Sequence, residues 1–343
     1  MKDEFTSFIL FLDMENFSDV KVYLYDADGK DEELNFENVE PQRIGDKQML
    51  WVNIFKRDEK LLAEVAKKLE IEQVKGTFLK KIIATSERPK LDKFEDLYRF
   101  FIVSVKAEKG KTINKVPIDF LVGKNFVITV SDCQIDYFDE FIEREQGETN
   151  IGELDSESFV AALLDLHIVS YFRVLEEIEA QVDELDDKIL GGKTEYKEFL
   201  GDIVKLRSDV SKLRRWFLPH RDVFYALSRP DFFPADDSDA TEYFRILSEH
   251  FDNAVEVIEG SRDTVIGLFD LYAARTNERT NQVMQRLTFI TLLVGGLGVF
   301  AGAMGMNFKL DFFESDNGFF ITVGVMGAFA VIFILLSFWR KWI

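Results

Sequence analysis

Residues 287–339 read LTFITLLVGGLGVFAGAMGMNFKLDFFESDNGFFITVGVMGAFAVIFILLSFW. Leu287 to Met306 is a run of 20 residues without a charge, and Phe319 to Trp339 is a second of 21. Each is long enough, as a helix, to cross the hydrocarbon core of a bilayer. The connection from Asn307 to Gly318 carries Asn, Asp, Ser and Gly, so the stretch reads as a hairpin of two spans. Gly305-Met306-Asn307 ends the first span at a membrane face, where a backbone carbonyl and a carboxamide can meet an ion entering from water. A mean hydropathy near zero for the whole chain conceals this segment entirely.

Flanking cations set the orientation. Arg275, Arg279 and Arg286 precede the first span, and Arg340 and Lys341 follow the second. Both termini are therefore expected on the cytoplasmic side of a multi-pass protein of the cell membrane. The formal charge of -20 lies wholly in residues 1–306, because Lys309, Arg340 and Lys341 balance Asp311, Glu314 and Asp316 beyond them. An acidic cytoplasmic portion repels nucleic acid and anionic lipid and attracts cations. Most of its carboxylates are expected to form a solvated surface. The single Cys133 allows no disulfide within the chain. Phe8 to Leu12, flanked by acids, is too short for a signal segment, so none that is cleaved is expected.

Residues 1–150 alternate short β-type runs with helical stretches and read as an α/β domain. Val20 to Tyr25, Met49 to Phe55, Phe100 to Val105 and Phe126 to Val130 are the expected strands. Asp58 to Leu69 carries apolar residues at helical spacing. Residues 151–237 read as a helical hairpin: Phe159 to Leu190 closed by Gly191-Gly192, then a helix capped by Thr194 that runs to about Leu218 before Pro219. From Ser238 the apolar residues Phe244, Leu247, Phe251, Ala254, Ile258, Ser261, Val265, Leu268 and Tyr272 follow a 3,4 alternation, the seam of a helix that packs on others. No stop signal separates it from the first span. One helix over 238–306 would be on the order of 100 Å long. Residues 307–318 form the external loop, 319–339 the second span and 340–343 a basic cytoplasmic tail.

Asn281-Gln282-Val283-Met284-Gln285-Arg286-Leu287-Thr288, the uninterrupted span after it, Gly305-Met306-Asn307-Phe308 and the second span with its basic end together resemble the CorA family of divalent-cation transporters. Arg88-Pro89-Lys90 and Phe94-Glu95-Asp96 add to the resemblance. It implies an α+β cytoplasmic domain, a long helical stalk and two C-terminal transmembrane helices, assembled as a funnel-shaped homopentamer in lipid. The first span of each subunit would line a central pore. Gly305, Met306 and Asn307 would form its selectivity ring, with hydrated Mg²⁺ as substrate and Co²⁺ or Ni²⁺ as passengers. Mg²⁺ gives up its waters reluctantly. A ring of carbonyls and carboxamides could therefore hold the hydrated ion through its waters, weakly enough for release. As a helix C-cap Asn307 would serve equally well structurally.

Asn281, Met284, Thr288 and Thr291 recur at helical spacing and are expected along the pore. Met284 and Leu287 resemble the family's apolar constriction, which closes by dewetting. Gly295, Gly298 and Gly302 continue the line, as pore surface or as close-packing contacts. Asp270 matches the family's cytoplasmic metal-sensing carboxylate, with Asp96 of an adjacent subunit as its partner and Glu95 nearby. Internal Mg²⁺ bound between them would then hold the pore shut.

Two features depart from the family pattern. Met304 stands before Gly305 where an aromatic is usual, and the loop after Phe308 lacks Met-Pro-Glu-Leu. Asp311, Glu314 and Asp316 could still gather cations outside the pore. The departures leave a Zn²⁺ transporter of the same superfamily, coupled to protons or not, as one alternative. A membrane-anchored metal sensor that conducts nothing is the other. Zn²⁺ favours imidazole and thiolate, and His167, His220, His250 and Cys133 all lie outside the spans. Gly191-Gly192-Lys193-Thr194 lacks the first glycine of a P-loop, and Asp26-Ala27-Asp28-Gly29 brings its glycine too early for an EF-hand. No arrangement for nucleophilic catalysis is present, so neither an enzyme nor an organic cofactor is expected.

Overall fold

The computed structural model describes residues 19–26, 31–40, 44–45, 47–71, 76–85, 88–94, 97–106, 113–144, 155–191, 196–233, 238–306 and 316–339. Its strands are β1 (Val20–Asp26), β2 (Glu32–Leu34), β3 (Gln48–Ile54), β4 (Lys90–Lys93), β5 (Leu97–Lys106), β6 (Asn114–Gly123) and β7 (Phe126–Val130). They form one sheet in the order β2-β1-β3-β7-β6-β5-β4. β3 and β7 run parallel, with Leu50 opposite Phe126 and Ile54 opposite Val130, and every other pair is antiparallel. The four expected strands fall on β1, β3, β5 and β7. The turn expected at Asp28-Gly29 lies outside the described residues.

Successive side chains of a strand point to opposite faces. Leu50, Val52 and Ile54 of β3 therefore share a core with α1 (Glu59–Lys68) and α2 (Thr77–Ile83), contributed by Leu61, Leu62, Val65 and Ile82. The Asp58 carboxylate accepts from the amides of Lys60 and Leu61 at 2.9 and 3.0 Å, which fixes the start of α1. Trp51 faces the other way. Its ring meets Phe138 of α3 (Asp136–Arg144) at 5.2 Å and Phe159 of α4 (Ser156–Gly191) at 5.3 Å. Its indole N–H donates to Thr129 Oγ1 at 3.0 Å, and that hydroxyl donates to Asn53 at 2.9 Å, so the buried polar atoms form a closed chain.

At the β6–β7 turn Gly123 lies opposite Phe126. A Cβ on Gly123 would stand 2.3 Å from that ring, so any larger residue there would have to displace the Phe126 side chain.

α4 is followed by α5 (Tyr196–Phe217), a 3₁₀ turn (Leu218–His220), α6 (Arg221–Leu227), α7 (Ser238–Met304) and α8 (Asp316–Trp339). Thr194, the expected cap of α5, lies outside the described residues. α4 is apolar and long enough to cross a membrane, yet 67% of its most apolar window is buried inside the protein, which makes it a core helix. The corresponding figures for the C-terminal part of α7 and for α8 are 6% and 0%.

The chain divides into two compact units: Met1–Asp187 with Glu195–Ile266, and Lys188–Thr194 with Gly267–Ile343. In the first, the expected seam of α7 is buried: Phe244, Leu247, Phe251, Ala254, Ile258, Ser261 and Val265 are all at most 5% exposed. Phe251 stacks on Phe217 and Phe224 at 4.8 and 4.7 Å, and Phe244 stacks on Phe233 at 5.2 Å. Polar contacts flank the seam, with Arg214 at 2.5 Å from Glu259 and Ser261 donating to Glu179 at 3.0 Å.

Candidate ion-conduction site

Among the described residues, α8 covers one face of α7 in the second unit. Phe289 is 5% exposed and stacks on Phe333 of α8 at 5.2 Å, and Phe333 meets Phe329 at 6.0 Å. A Cβ on Gly296 would lie 3.3 Å from the Phe329 ring, so this glycine lets α8 approach. Leu293 and Phe300 complete the stripe, since residues three, four and seven apart share a helix face. Both are partly buried where their flanks are exposed.

At about 100° per residue, Asn281, Met284, Leu287, Thr288 and Thr291 fall on the opposite face. All five are exposed, Met284 at 59% and Leu287 at 62%. Asn281, Met284 and Thr288 line one concavity of the helix surface together with Gln285. Gln285, part of the Asn281 to Thr288 motif but not expected along the pore, stands four residues after Asn281, a spacing that could have placed it there. Gly295, Gly298 and Gly302 extend the same face, and a Cβ on any of them would meet nothing within 4 Å. The small residues of this stripe therefore do not pack on α8. Thr291 donates its hydroxyl proton to the Leu287 carbonyl at 2.8 Å, which leaves only lone pairs directed away from the helix.

α7 ends at Met304, two residues short of the expected boundary, because the hydrogen bonding tightens there. The Gly305 amide still reaches Ala301 O at 2.9 Å, but the Met306 amide bonds to Ala303 O at 3.3 Å, a 3₁₀ closure. Gly305 and Met306 thus lie just past the helix, with Met306 58% exposed. Asn307 lies outside the described residues, as do Asp311 and Glu314. Asp316, expected in the loop, is instead the first residue of α8, a position at which a helix N-terminus favours an acid.

Asp270 is exposed on α7. Glu95 and Asp96 lie outside the described residues. Among the described residues no three His, Cys, Asp or Glu side chains gather as a metal site. The histidines are engaged elsewhere: His167 and His220 are fully buried, and His250 pairs with Asp165 at 3.0 Å.

Residues 46–340 match the model of the CorA-like Mg2+ transporter protein family. The chain is 28% identical over 270 residues to a cobalt/magnesium transport protein CorA of Thermotoga maritima, covering 77% of this chain and 76% of that protein. A protein of the same name from Methanocaldococcus jannaschii is 23% identical over 304 residues, 87% of this chain and 92% of that protein. The complete structure of the CorA magnesium transporter from M. jannaschii superposes with a TM-score of 0.76 at 20% identity, covering 94% of this chain and 98% of that one. That likeness extends over the sheet domain, the long helix and the two apolar C-terminal helices. With a family match over 295 residues, 46 to 340, this chain belongs to the CorA family of divalent-cation transporters.

Proposed function

We propose that the chain assembles as a homopentamer in the cell membrane and conducts hydrated Mg²⁺ through a pore lined by the exposed face of α7. The observation that carries this reading is the stripe itself. Thr288, Thr291, Gly295, Gly298 and Gly302 occupy the face of the apolar span that α8 leaves uncovered, Asn281 stands on the same face of the polar segment before it, and the stripe leads to Gly305. A helix that serves only as an anchor has no need of carboxamides and hydroxyls along one face. The Thr291 hydroxyl and the carboxamide oxygens are acceptors, matched to the outward-pointing hydrogens of a hydrated cation. Met284 and Leu287 form the apolar constriction of the same path. Asn307 completes the selectivity ring with Gly305 and Met306, and Asp311, Glu314 and Asp316 concentrate cations at its outer mouth.

Mg²⁺ is favoured over Zn²⁺ because imidazole is absent from this face and each histidine is occupied elsewhere. The deciding measurement is metal flux into liposomes holding the full-length protein. Mg²⁺ uptake that needs no pH gradient, and that an inert hexaammine complex blocks, is the expected result. Proton-dependent Zn²⁺ uptake would overturn the substrate, and no flux of any ion would leave the sensor.

Regulation is assigned to Asp270 and Asp96, aided by Glu95. Carboxylates of adjacent subunits repel until a divalent ion bridges them, so internal Mg²⁺ stabilises the closed arrangement. The double variant Asp96→Asn/Asp270→Asn should need at least about tenfold more internal Mg²⁺ for inhibition, a coupling of about 1.4 kcal/mol. Unchanged sensitivity would remove these residues from the mechanism.

A further inference from the structure

β5 outruns its neighbour at the sheet edge. β4 pairs with it only as far as Lys90 opposite Phe101, so Val103 lies beyond the last β4 residue. On its other side Val103 faces Pro117 of β6, which has no N–H to exchange. The peptide groups of Val103 therefore point outward, and two side chains of the helical layer take them. Its N–H donates to Nε2 of His220 at 3.0 Å, and its carbonyl accepts from the Tyr171 hydroxyl at 2.6 Å. Nδ1 of His220 lies 2.8 Å from the Phe217 carbonyl. Accepting at Nε2 while donating at Nδ1 requires the neutral imidazole.

His220 sits 5.0 Å, ring to ring, from His167, and both are fully buried. Nδ1 of His167 is 3.4 Å from the Tyr137 hydroxyl, and its Nε2 has no hydrogen-bond partner. The groups facing the pair are Tyr137 from α3, Tyr171 from α4, the Val103 peptide from β5, Phe217 from α5 and Phe224 from α6. None of these is acidic, so a proton on either ring would find no counter-charge. Tyr137 and Ser104 also line a cleft with Lys106, Arg173, Asp136 and Glu177 on its walls, which brings solvent to the edge of the cluster.

We propose that the His220–Val103 junction is an acid-operated latch, closed while the imidazole is neutral and released when it is protonated, through which cytoplasmic pH loosens the helical layer from the sheet. A proton on Nε2 would set N–H against N–H and remove the only bond that His220 makes to β5. Burial holds His220 down to about 4 and His167 well below its ordinary value, the latter with help from the neighbouring imidazole. A histidine freed by opening titrates near 6.5. Both values are lower in the closed state, so the contribution of the latch is full above about pH 6.5 and is lost as pH falls toward 4.

The test is hydrogen exchange at the Val103 amide in the full-length protein, corrected for the intrinsic pH dependence of exchange. Between pH 7.5 and 5.0 protection should fall at least about tenfold from the titration of His220 alone. His220→Gln keeps an acceptor for the Val103 amide and cannot titrate at this position, so it loses the His220 share and its protection should fall at least about tenfold less than that of the wild type over that range. Equal losses in both proteins would overturn the latch, as would constant protection in the wild type. If the variant proves unfolded at pH 7.5, exchange at the imidazole C2 hydrogen of the wild type decides. Titration of His220 near 6.5 with Val103 protection unchanged also overturns the proposal.

Discussion

Replacing Asn307 with alanine is expected to lower Mg²⁺ flux into liposomes by at least about tenfold while leaving the assembly and its thermal stability intact. The change removes one carboxamide from every subunit of the proposed ring. Each carboxamide oxygen that accepts from a water of the hydrated ion contributes about 0.5–1.5 kcal/mol. Tenfold corresponds to about 1.4 kcal/mol, so the loss of only a few such bonds suffices. The backbone just before it is already set by the bonds from Gly305 to Ala301 and from Met306 to Ala303, neither of which involves the Asn307 side chain. Asn307→Asp separates binding from conduction. A ring of carboxylates should hold Mg²⁺ more tightly and release it more slowly, giving half-saturation at lower Mg²⁺ with a lower maximal flux. Flux within about twofold of wild type in Asn307→Ala would place selectivity elsewhere on the path.

The membrane hairpin was legible because uncharged runs of 20 and 21 residues have few other readings, and the α7 seam because its 3,4 alternation persists from Phe244 to Tyr272, about eight turns. The apolar run in α4 shows the limit of that signal. It meets the same length and hydropathy test, and only burial against the sheet and the other helices of its unit tells it from a span. β6 was missed because Pro117 argues against a strand. In the structure that proline sits beyond the end of β7, where no ladder bond is lost, and its carbonyl accepts from Arg57 at 3.0 Å. β4, Lys-Leu-Asp-Lys, carries too much charge to read as a strand, yet it pairs along one side of β5 only, as edge strands do. α3 is strongly amphipathic but short, and its apolar face of Tyr137, Phe138 and Phe141 became meaningful only beside Trp51. For the candidate site, helical spacing was enough to collect the stripe on α7. What it could not supply was the position of α8, which decides that Gly296 is a packing contact and that Gly295, Gly298 and Gly302 are not.

Asp119→Ala is expected to cost about 3–5 kcal/mol, a large loss of stability for a single replacement in the sheet-containing unit. Asp119 on β6 is fully buried, and its two oxygens contact the guanidinium groups of Arg57 and Arg99, which are 4% and 3% exposed. Burial pushes its carboxyl upward, and the contacts with Arg99 and Arg57 oppose that. Arg57 ties the region together by donating to the carbonyls of Ile82 at 2.6 Å and of Pro117 and Val130 at 3.0 Å, from α2, β6 and β7 in turn. Removing the carboxylate leaves two cations in an interior where, among the described residues, Asp92 and Asp132 remain, each 3.3 Å from one guanidinium and more open to solvent. The midpoint of thermal unfolding, followed by tryptophan fluorescence, should fall on the order of 10 °C. Asp92→Ala is the matched comparison. It removes a partly exposed partner of the same Arg99 and should cost about 1 kcal/mol or less, because solvent can replace what is lost. Equal shifts for the two variants would mean that the burial of Asp119, rather than setting the size of the effect, is irrelevant to it, and the buried-charge account of this sheet would have to be abandoned.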